Sequence, residues 1–332
     1  MGKIVGFDIG EGLLKMALFS GGRLEKTVAL EIPDELVSEG VIQYMDTMAA
    51  IIREAARANG FPRGDCAVSL PDSLVYTRSV TVPVMTEAQL KFNLPYEFAD
   101  YLGESKDKYF FDYSVREVLR DEDDKPVNLR LYACAVAKST MAGYRDMFAK
   151  AGYRMACAVP GEFAYSASVR SCVTEGEETD LCLVDIGHRS TQFVVYHGDE
   201  PTIRRTIDIG IMELDALIAD TFGVSGHNIY SYKTNNHDGI LDSPEAVELY
   251  NRLAVEITRA VNFYNYNNRE ASLSELYLCG GGCAIPALRR TIGEDTGLPL
   301  HSAAELLPEN NSKEPWLYLR ACGCAMEGGS GK

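Results

Sequence analysis

Residues 5–18, VGFDIGEGLLKMAL, and residues 181–194, LCLVDIGHRSTQFV, share one pattern: an apolar run, an Asp, a branched residue, a Gly turn and a second apolar run. Each stretch is expected to form a buried strand, a tight turn and a returning strand. Glycine in such a turn lets backbone amides approach a phosphate, and a carboxylate at the strand end can hold hydrated magnesium. Asp8, Gly10 and Lys15 are the candidates in the first copy, and Asp185, Gly187, Ser190 and Thr191 in the second. The copies lie about 180 residues apart, so the pattern suggests two homologous halves facing one cleft. A third element, LYLCGGGCAIPAL at residues 276–288, puts Gly280, Gly281 and Gly282 after a strand and before a helix, where a flat base can lie against bare backbone.

The rest of the composition narrows the class. At 332 residues, 46% hydrophobic and 24% charged, the chain suits two globular domains or one two-lobed unit. No run of eighteen apolar residues occurs, and MGKIVGFDIG meets Asp8 too early for a signal peptide or a membrane span. A cytosolic chain without direct membrane insertion is the expectation. Thirty-two basic against forty-eight acidic residues give a net charge of −16, which repels a phosphate backbone and excludes nucleic acid as a partner. Nine cysteines fit reduced thiols, and neither C-x3-C (Cys279, Cys283) nor C-x-C (Cys322, Cys324) makes a zinc pattern. A GxxxxGK[ST] loop and a GxGxxG turn are both missing.

Further along, Met48, Ile51, Ile52 and Ala55 space a helix over residues 46–59, and strands are expected at 24–32, 66–70 and 74–82. Pro83 ends that sheet signal. Residues 86–102 suggest a helical stretch in which Pro95 starts a new helix or kinks the first, residues 121–125 an acidic hairpin tip, 129–137 a strand and 139–151 a helix. A polar stretch at 174–180 separates the halves. Ser243 and Pro244 open a long helix whose stripe is Tyr250, Leu253, Ile257, Val261 and Tyr264. The resulting division is a first lobe at 1–83 and 137–172, an insert at 84–136, a second lobe at 173–326 and a flexible tail at 327–332.

In this order and spacing the three glycine elements resemble the actin-like ATPase superfamily. AVEITRAVNFY (254–264), SLPDSLVYTRSVTVPVMTEAQL (69–90) and LRACGCAM (319–326) sharpen the resemblance to the PilM family of type IV pilus assembly proteins, relatives of FtsA. It implies an α/β, actin-like (ribonuclease H-like) two-lobed fold with a small α+β insert in the first lobe. It also implies ATP and magnesium between the lobes: Asp8, Gly10, Lys15, Gly187, Ser190, Thr191, Lys233, Gly280, Gly281 and Gly282 toward the nucleotide, Asp8 and Asp185 toward the metal. Asp185 and Glu162 are the implied catalytic acids, with Glu162 one residue from the gap-free match at Gly161. The resemblance further implies that the N-terminal tail of a PilN-like membrane protein sits on the insert, at Phe92, Tyr96, Glu97 and Phe98. Other pilus platform proteins and a homo-oligomer are also implied, and the cytoplasmic chain would be recruited to the inner face of the cytoplasmic membrane.

The nucleotide positions depart from the family pattern. Glu11 and Gly12 follow the first turn where Ser or Thr is usual, and a carboxylate there opposes polyphosphate. Tyr230 stands where a ribose-contacting Glu normally precedes Lys233, Ile211 replaces a glycine beside Gly210, and His188 with Arg189 fills the second turn. The expectation is a scaffold with a degenerate ATP site; the alternatives are a slow ATPase and, behind it, a sugar kinase, for which no acceptor-side general base is identifiable. An FtsA-like division protein would end in an amphipathic membrane helix, and this sequence ends in EGGSGK.

Overall fold

A computed structural model describes residues 2–33, 35–170, 180–268, 272–308, 310 and 312–330. The apolar run Ile4–Ile9 forms β1, buried at every position because it is the middle strand of five. β2 (Leu13–Ser20) and β3 (Arg23–Glu31) return antiparallel on one side of it. A two-strand ribbon, β4 (Val37–Ser38) and β5 (Val41–Ile42), leads to α1 (Met45–Ala58) and then to β6 (Gly64–Leu70), which pairs parallel with β1.

The chain then leaves this sheet. β7 (Val75–Pro83), α2 (Glu87–Asn93), β8 (Tyr109–Arg120) and β9 (Pro126–Ala137) build a separate three-stranded sheet in the order β7-β9-β8. Val75 pairs with Val136, so this sheet starts well before residue 84, where the insert was expected to begin. Pro83 marks the end of a strand within the insert, not the border of the lobe. Helix is likewise shorter than the expected 86–102. Thr86 and Gln89 cap α2 reciprocally, and Pro95 turns the chain into a 3-10 segment, Leu94–Phe98. After α3 (Lys138–Ala151), β10 (Tyr153–Pro160) rejoins the first sheet beside β6, and α4 (Gly161–Arg170) follows.

The second lobe repeats the same plan: β11 (Asp180–Ile186), β12 (Thr191–His197), β13 (Glu200–Ile207), α5 (Met212–Phe222), α6 (His227–Thr234), α7 (Pro244–Asn267), β14 (Leu276–Cys279), α8 (Pro286–Thr296), β15 (Leu300–Ser302) and α9 (Leu319–Ser330). Its order, β13-β12-β11-β14-β15, matches the first lobe's β3-β2-β1-β6-β10, with the same two antiparallel and two parallel pairings. Ser243 caps α7 by accepting from the Ala246 amide, and the expected stripe from Tyr250 to Tyr264 is buried. The polar stretch expected at 174–180 and the boundary at 172–173 fall, apart from Asp180, outside the described residues.

The helices α4 and α9 join the lobes. α9 ends the second lobe yet packs on β1, β2, β6 and β10 of the first, while α4 ends the first and packs on β12 and β13 of the second. Ala164, Tyr165, Ala321, Cys322, Cys324 and Ala325 share one core with strands of both sheets. The approach is backbone to backbone: a Cβ added at Gly323 would lie 1.5 Å from the Ala164 carbonyl oxygen, and one at Gly6 would lie 1.8 Å from that of Ala321. α9 continues through Ser330, so the tail expected at 327–332 is helical for most of its length, with 331 and 332 outside the described residues. Paired glycines make a poor isolated helix, and packing on the sheet supplies the stability that propensity lacks.

Gly323→Ala should therefore lower unfolding stability by about 3 kcal/mol or more, measured by urea titration. Gly143→Ala, in the helical stretch of α3 with only ordinary contact to Met45, should stabilise by about 0.4–1 kcal/mol. Equal effects at the two sites would contradict the close crossing.

Candidate functional site: a charged cleft between two matching turns

The two turns close identically. The Gly10 amide donates to the Leu13 carbonyl at 3.0 Å, and the Gly187 amide donates to the Ser190 carbonyl at 3.0 Å. Strand register places Asp8 opposite Lys15 and Asp185 opposite Gln192, so the lysine has no counterpart in the second copy. Between the turns lies a cavity of about 970 Å³. Asp8, Gly10, Lys15 and Asp185 line it, together with Gly187, Ser190, Lys233 and Gly281.

Four of the expected site residues stand elsewhere. Thr191 is buried, with its hydroxyl donating to the Ile209 carbonyl at 2.8 Å. Gly282 packs against Ile186. Gly280 has φ +85, and a Cβ there would lie 2.2 Å from Asp185 Oδ1, so its role is to leave room for that carboxylate. Glu162 is buried on α4 away from the cavity: Tyr132 of the insert donates to Oε1 at 2.5 Å and Arg204 of β13 to Oε2 at 2.8 Å. With both oxygens engaged it ties the insert to both lobes and is not placed to activate water in the cleft.

Three carboxylates of the cleft, Asp8, Asp185 and Asp215, are each met by a cation of the chain. Lys15 Nζ lies 2.9 Å from Asp8 Oδ2, with both side chains largely shielded from water. Burial pushes the Asp8 carboxyl up, but Lys15 and Arg320 outweigh it and hold the group below its ordinary value. Burial pulls Lys15 down, and Asp8 with Asp185 overrides that to keep the ammonium charged. Asp185 accepts a hydrogen bond from the Tyr165 hydroxyl, which in turn accepts from Arg320 Nε at 2.5 Å. Arg320 Nη2 lies 3.4 Å from the same carboxylate. Arg320 comes from the first turn of α9 and Tyr165 from α4, so the helix pair that joins the lobes also delivers charge to the cleft. Sequence reading missed both; Arg320 lies inside the quoted LRACGCAM segment, but nothing in its spacing marks it.

Deeper in the second lobe, Lys233 Nζ lies 2.6 Å from Asp215 Oδ1, and His188 Nδ1 lies 3.4 Å from Oδ2. Burial raises the Asp215 carboxyl, and the His188 and Lys233 contacts reverse the shift to below its ordinary value. Tyr230 Oη is 3.2 Å from Glu314 Oε2. Ile211 is buried, with its Cδ1 3.3 Å from a Cβ built on Gly281, so it covers the bare backbone expected to face a base. Nine acidic and five basic side chains line the cavity, four negative charges in excess.

Asp8 and Asp185, at matching strand ends of opposite lobes, fit a hydrated magnesium held by one or two carboxylates and a ligand's phosphates. Among the described residues no group of three His, Cys, Asp or Glu side chains is arranged to hold a metal alone. The phosphate half fits less well, because Lys15, Lys233 and Arg320 are engaged by acids of the chain.

On the insert, Phe92 is 69% exposed and Tyr96 54%, with ring centroids 6.0 Å apart. Lys106 Nζ sits 3.2 Å from the Tyr96 ring centre. Glu97 is half-buried, its carbonyl bound by Arg78. Phe98, expected at the partner surface, is instead buried in the insert's own core against Phe111, at the sheet-facing end of the 3-10 segment.

Asp8→Asn should destabilise the protein by about 3 kcal/mol, since it strands Lys15, and adding Lys15→Met should recover most of the loss. Because Asp8 is depressed in the folded state, its contribution is full above the ordinary 3.8 and lost as pH falls further. Lys15 is raised, so its contribution holds below 10.5 and is lost as pH climbs through the raised value. The melting-temperature gap between wild type and Asp8→Asn should thus narrow below about pH 4.

The family model for type IV pilus assembly protein PilM matches residues 6–328. Among solved structures, a PilM-PilN type IV pilus biogenesis complex superposes with TM-score 0.80 at 20% identity, covering 98% of each chain. Ethanolamine utilization protein EutJ from Carboxydothermus hydrogenoformans follows at TM-score 0.61 and 13% identity, covering 98% of this chain and 90% of that one. ADP-bound MreB5 of Spiroplasma citri superposes at TM-score 0.52 and 10% identity, covering 97% and 95%. No curated protein sequence matches significantly. The repeated sheets and the cleft between them are those of an actin-like fold, and the chain belongs to the PilM family of type IV pilus assembly proteins.

Proposed function

We propose that this chain is an actin-like scaffold of a type IV pilus or related secretion platform that binds the N-terminal tail of a PilN-like inner-membrane protein on its insert. Family membership and the likeness to a PilM-PilN complex support the pilus assignment. The observation that carries the docking site is the exposed Phe92 and Tyr96 pair, on a segment whose Leu90, Leu94 and Phe98 are consumed by the insert core. Two adjacent exposed aromatics offer contact area at low entropic cost to a short apolar tail. Among the described residues no helix is long and apolar enough to cross a membrane. Attachment to the inner face of the cytoplasmic membrane would come through the partner, alongside other platform proteins and further copies of the chain.

Within this reading the cleft handles ATP weakly or not at all, because Lys15 and Lys233 are engaged by acids of the chain and Ile211 covers the glycine turn. One observation favours the second reading, a working nucleotide site: Asp8 and Asp185 both face the cavity from matching strand ends.

A synthetic peptide of the partner's first residues should bind with micromolar affinity, roughly −8 kcal/mol, by calorimetry. Phe92→Ala and Tyr96→Ala should each weaken it about tenfold, or ~1.4 kcal/mol, without loss of fold. Phe98→Ala should cost about 3–5 kcal/mol of stability instead. A folded protein that takes up no peptide would end the scaffold reading as stated.

Millimolar Mg-ATP stabilises by about RT ln(1 + [L]/Kd), so a weak site should leave the melting temperature within about 1 °C. A large shift abolished by Asp8→Ala would favour the second reading.

A further inference from the structure

The two glycine turns touch across the cleft. Arg189 Nε of the second turn lies 2.7 Å from Glu11 Oε2 of the first. His188 packs over Gly12, its ring 3.8 Å from where a Cβ would stand. The second turn is held from behind, since the Met212 amide at the start of α5 donates to the His188 carbonyl at 2.7 Å and the Ile211 amide to that of Gly187 at 3.1 Å. The first is held by the Ile32 amide donating to the Gly12 carbonyl at 3.2 Å. Neither turn can therefore swing freely to make the contact, and the ion pair reports the spacing of the lobes.

We infer that Glu11 is a tethered anion that takes the place of a ligand's phosphate on Arg189, clamping the two turns together with no nucleotide present. A carboxylate carried by one glycine turn meets a guanidinium carried by the other, from opposite lobes. Lys15, Lys233 and Arg320 are each held within their own wall of the cleft or at its floor. Glu11 and Arg189 are the pair that spans from turn to turn. A polyphosphate entering the cleft has to displace Glu11 from Arg189 and then lie beside the freed carboxylate. The clamp thereby selects against polyanions unless magnesium accompanies them. This deepens the reading of the cleft as a nucleotide-derived site and rests on it only for the displacement step.

The Glu11 side chain is 14% exposed and that of Arg189 50%. Such a pair is screened as the Debye length falls from roughly 10 Å at 0.1 M salt to about 3 Å at 1 M. Hydrogen exchange by mass spectrometry on segments 9–13 and 187–191 reads the clamp directly. At low salt, Glu11→Gln and Arg189→Gln should each raise exchange severalfold in both segments and lower the melting temperature by on the order of 1–3 °C. In 1 M NaCl the wild type should exchange like the variants. Glu11→Arg combined with Arg189→Glu should restore protection at low salt, while Glu39→Gln, which removes another acid near Arg189, should change nothing. Unchanged exchange in both single variants, or a reversed pair no better protected than either one, would overturn the clamp.

Trp316, the only tryptophan, lines the cavity and serves as a fluorescent reporter. Mg-ATP should bind Glu11→Gln at least tenfold more tightly than wild type. Equal binding by both would overturn the displacement step. If the exchange results hold and no variant responds to Mg-ATP, the clamp stands and the nucleotide reading of the cleft falls.

Discussion

The contact of α4 with α9 constrains everything else in the molecule. Each helix belongs by chain order to one lobe and packs on the sheet of the other, and they cross with the Ala164 carbonyl where a side chain of residue 323 would be. Such a crossing admits little sliding, because moving either helix opens a void along a buried line shared by both sheets. The lobes therefore meet through a packed core. Tyr165 and Arg320, one from each helix, emerge from that crossing at the floor of the cleft. The fold thus sets the distance between the two strand-end aspartates and fixes what charge lies between them.

That charge governs the chemistry the cleft can support. Two unit charges about 4 Å apart at an effective dielectric near 20 interact by roughly 4 kcal/mol, so a buried carboxylate has to find a cation from within the chain or from a ligand. Here the chain supplies them: Lys15 to Asp8, Arg320 with Tyr165 to Asp185, Lys233 to Asp215. Each pair leaves less positive potential for an incoming polyphosphate, and the excess of acids on the walls works in the same direction. Lys15, Lys233 and Arg320 thus meet acids of the chain, and the walls keep more acids than bases.

The insert follows separate logic. Its small core uses one face of a three-stranded sheet and the inner side of α2, and this leaves Phe92 and Tyr96 outside. The opposite face meets α4, where Tyr132 packs edge-on against Phe163 at 4.5 Å and donates to Glu162. Arg204 of the second lobe completes that buried junction. The exposed aromatic pair and the buried junction with α4 thus occupy opposite sides of one thin layer.

The sequence by itself determined the fold. Two Asp-branched-Gly turns between apolar runs, a glycine-rich turn after a strand and the period of α1 and α7 are local signals, because strand and helix periodicity are written in consecutive residues. Two matching halves that face one cavity follow from them, with Asp8, Lys15 and Asp185 beside the turns; Lys233 was legible only through the family resemblance. Tertiary structure alone decided which charges meet. Arg320 reaches Asp185 across 135 positions of chain, Glu11 reaches Arg189 from another lobe, and Glu162 turns away from the cleft because Tyr132 and Arg204 are there to receive it. Phe98 falls in step with Leu90 and Leu94 at four-residue spacing, and packing turns that stripe into the insert core while Tyr96 stays outside. Pairing between remote side chains is set by how rigid elements pack, and no window of sequence contains both partners.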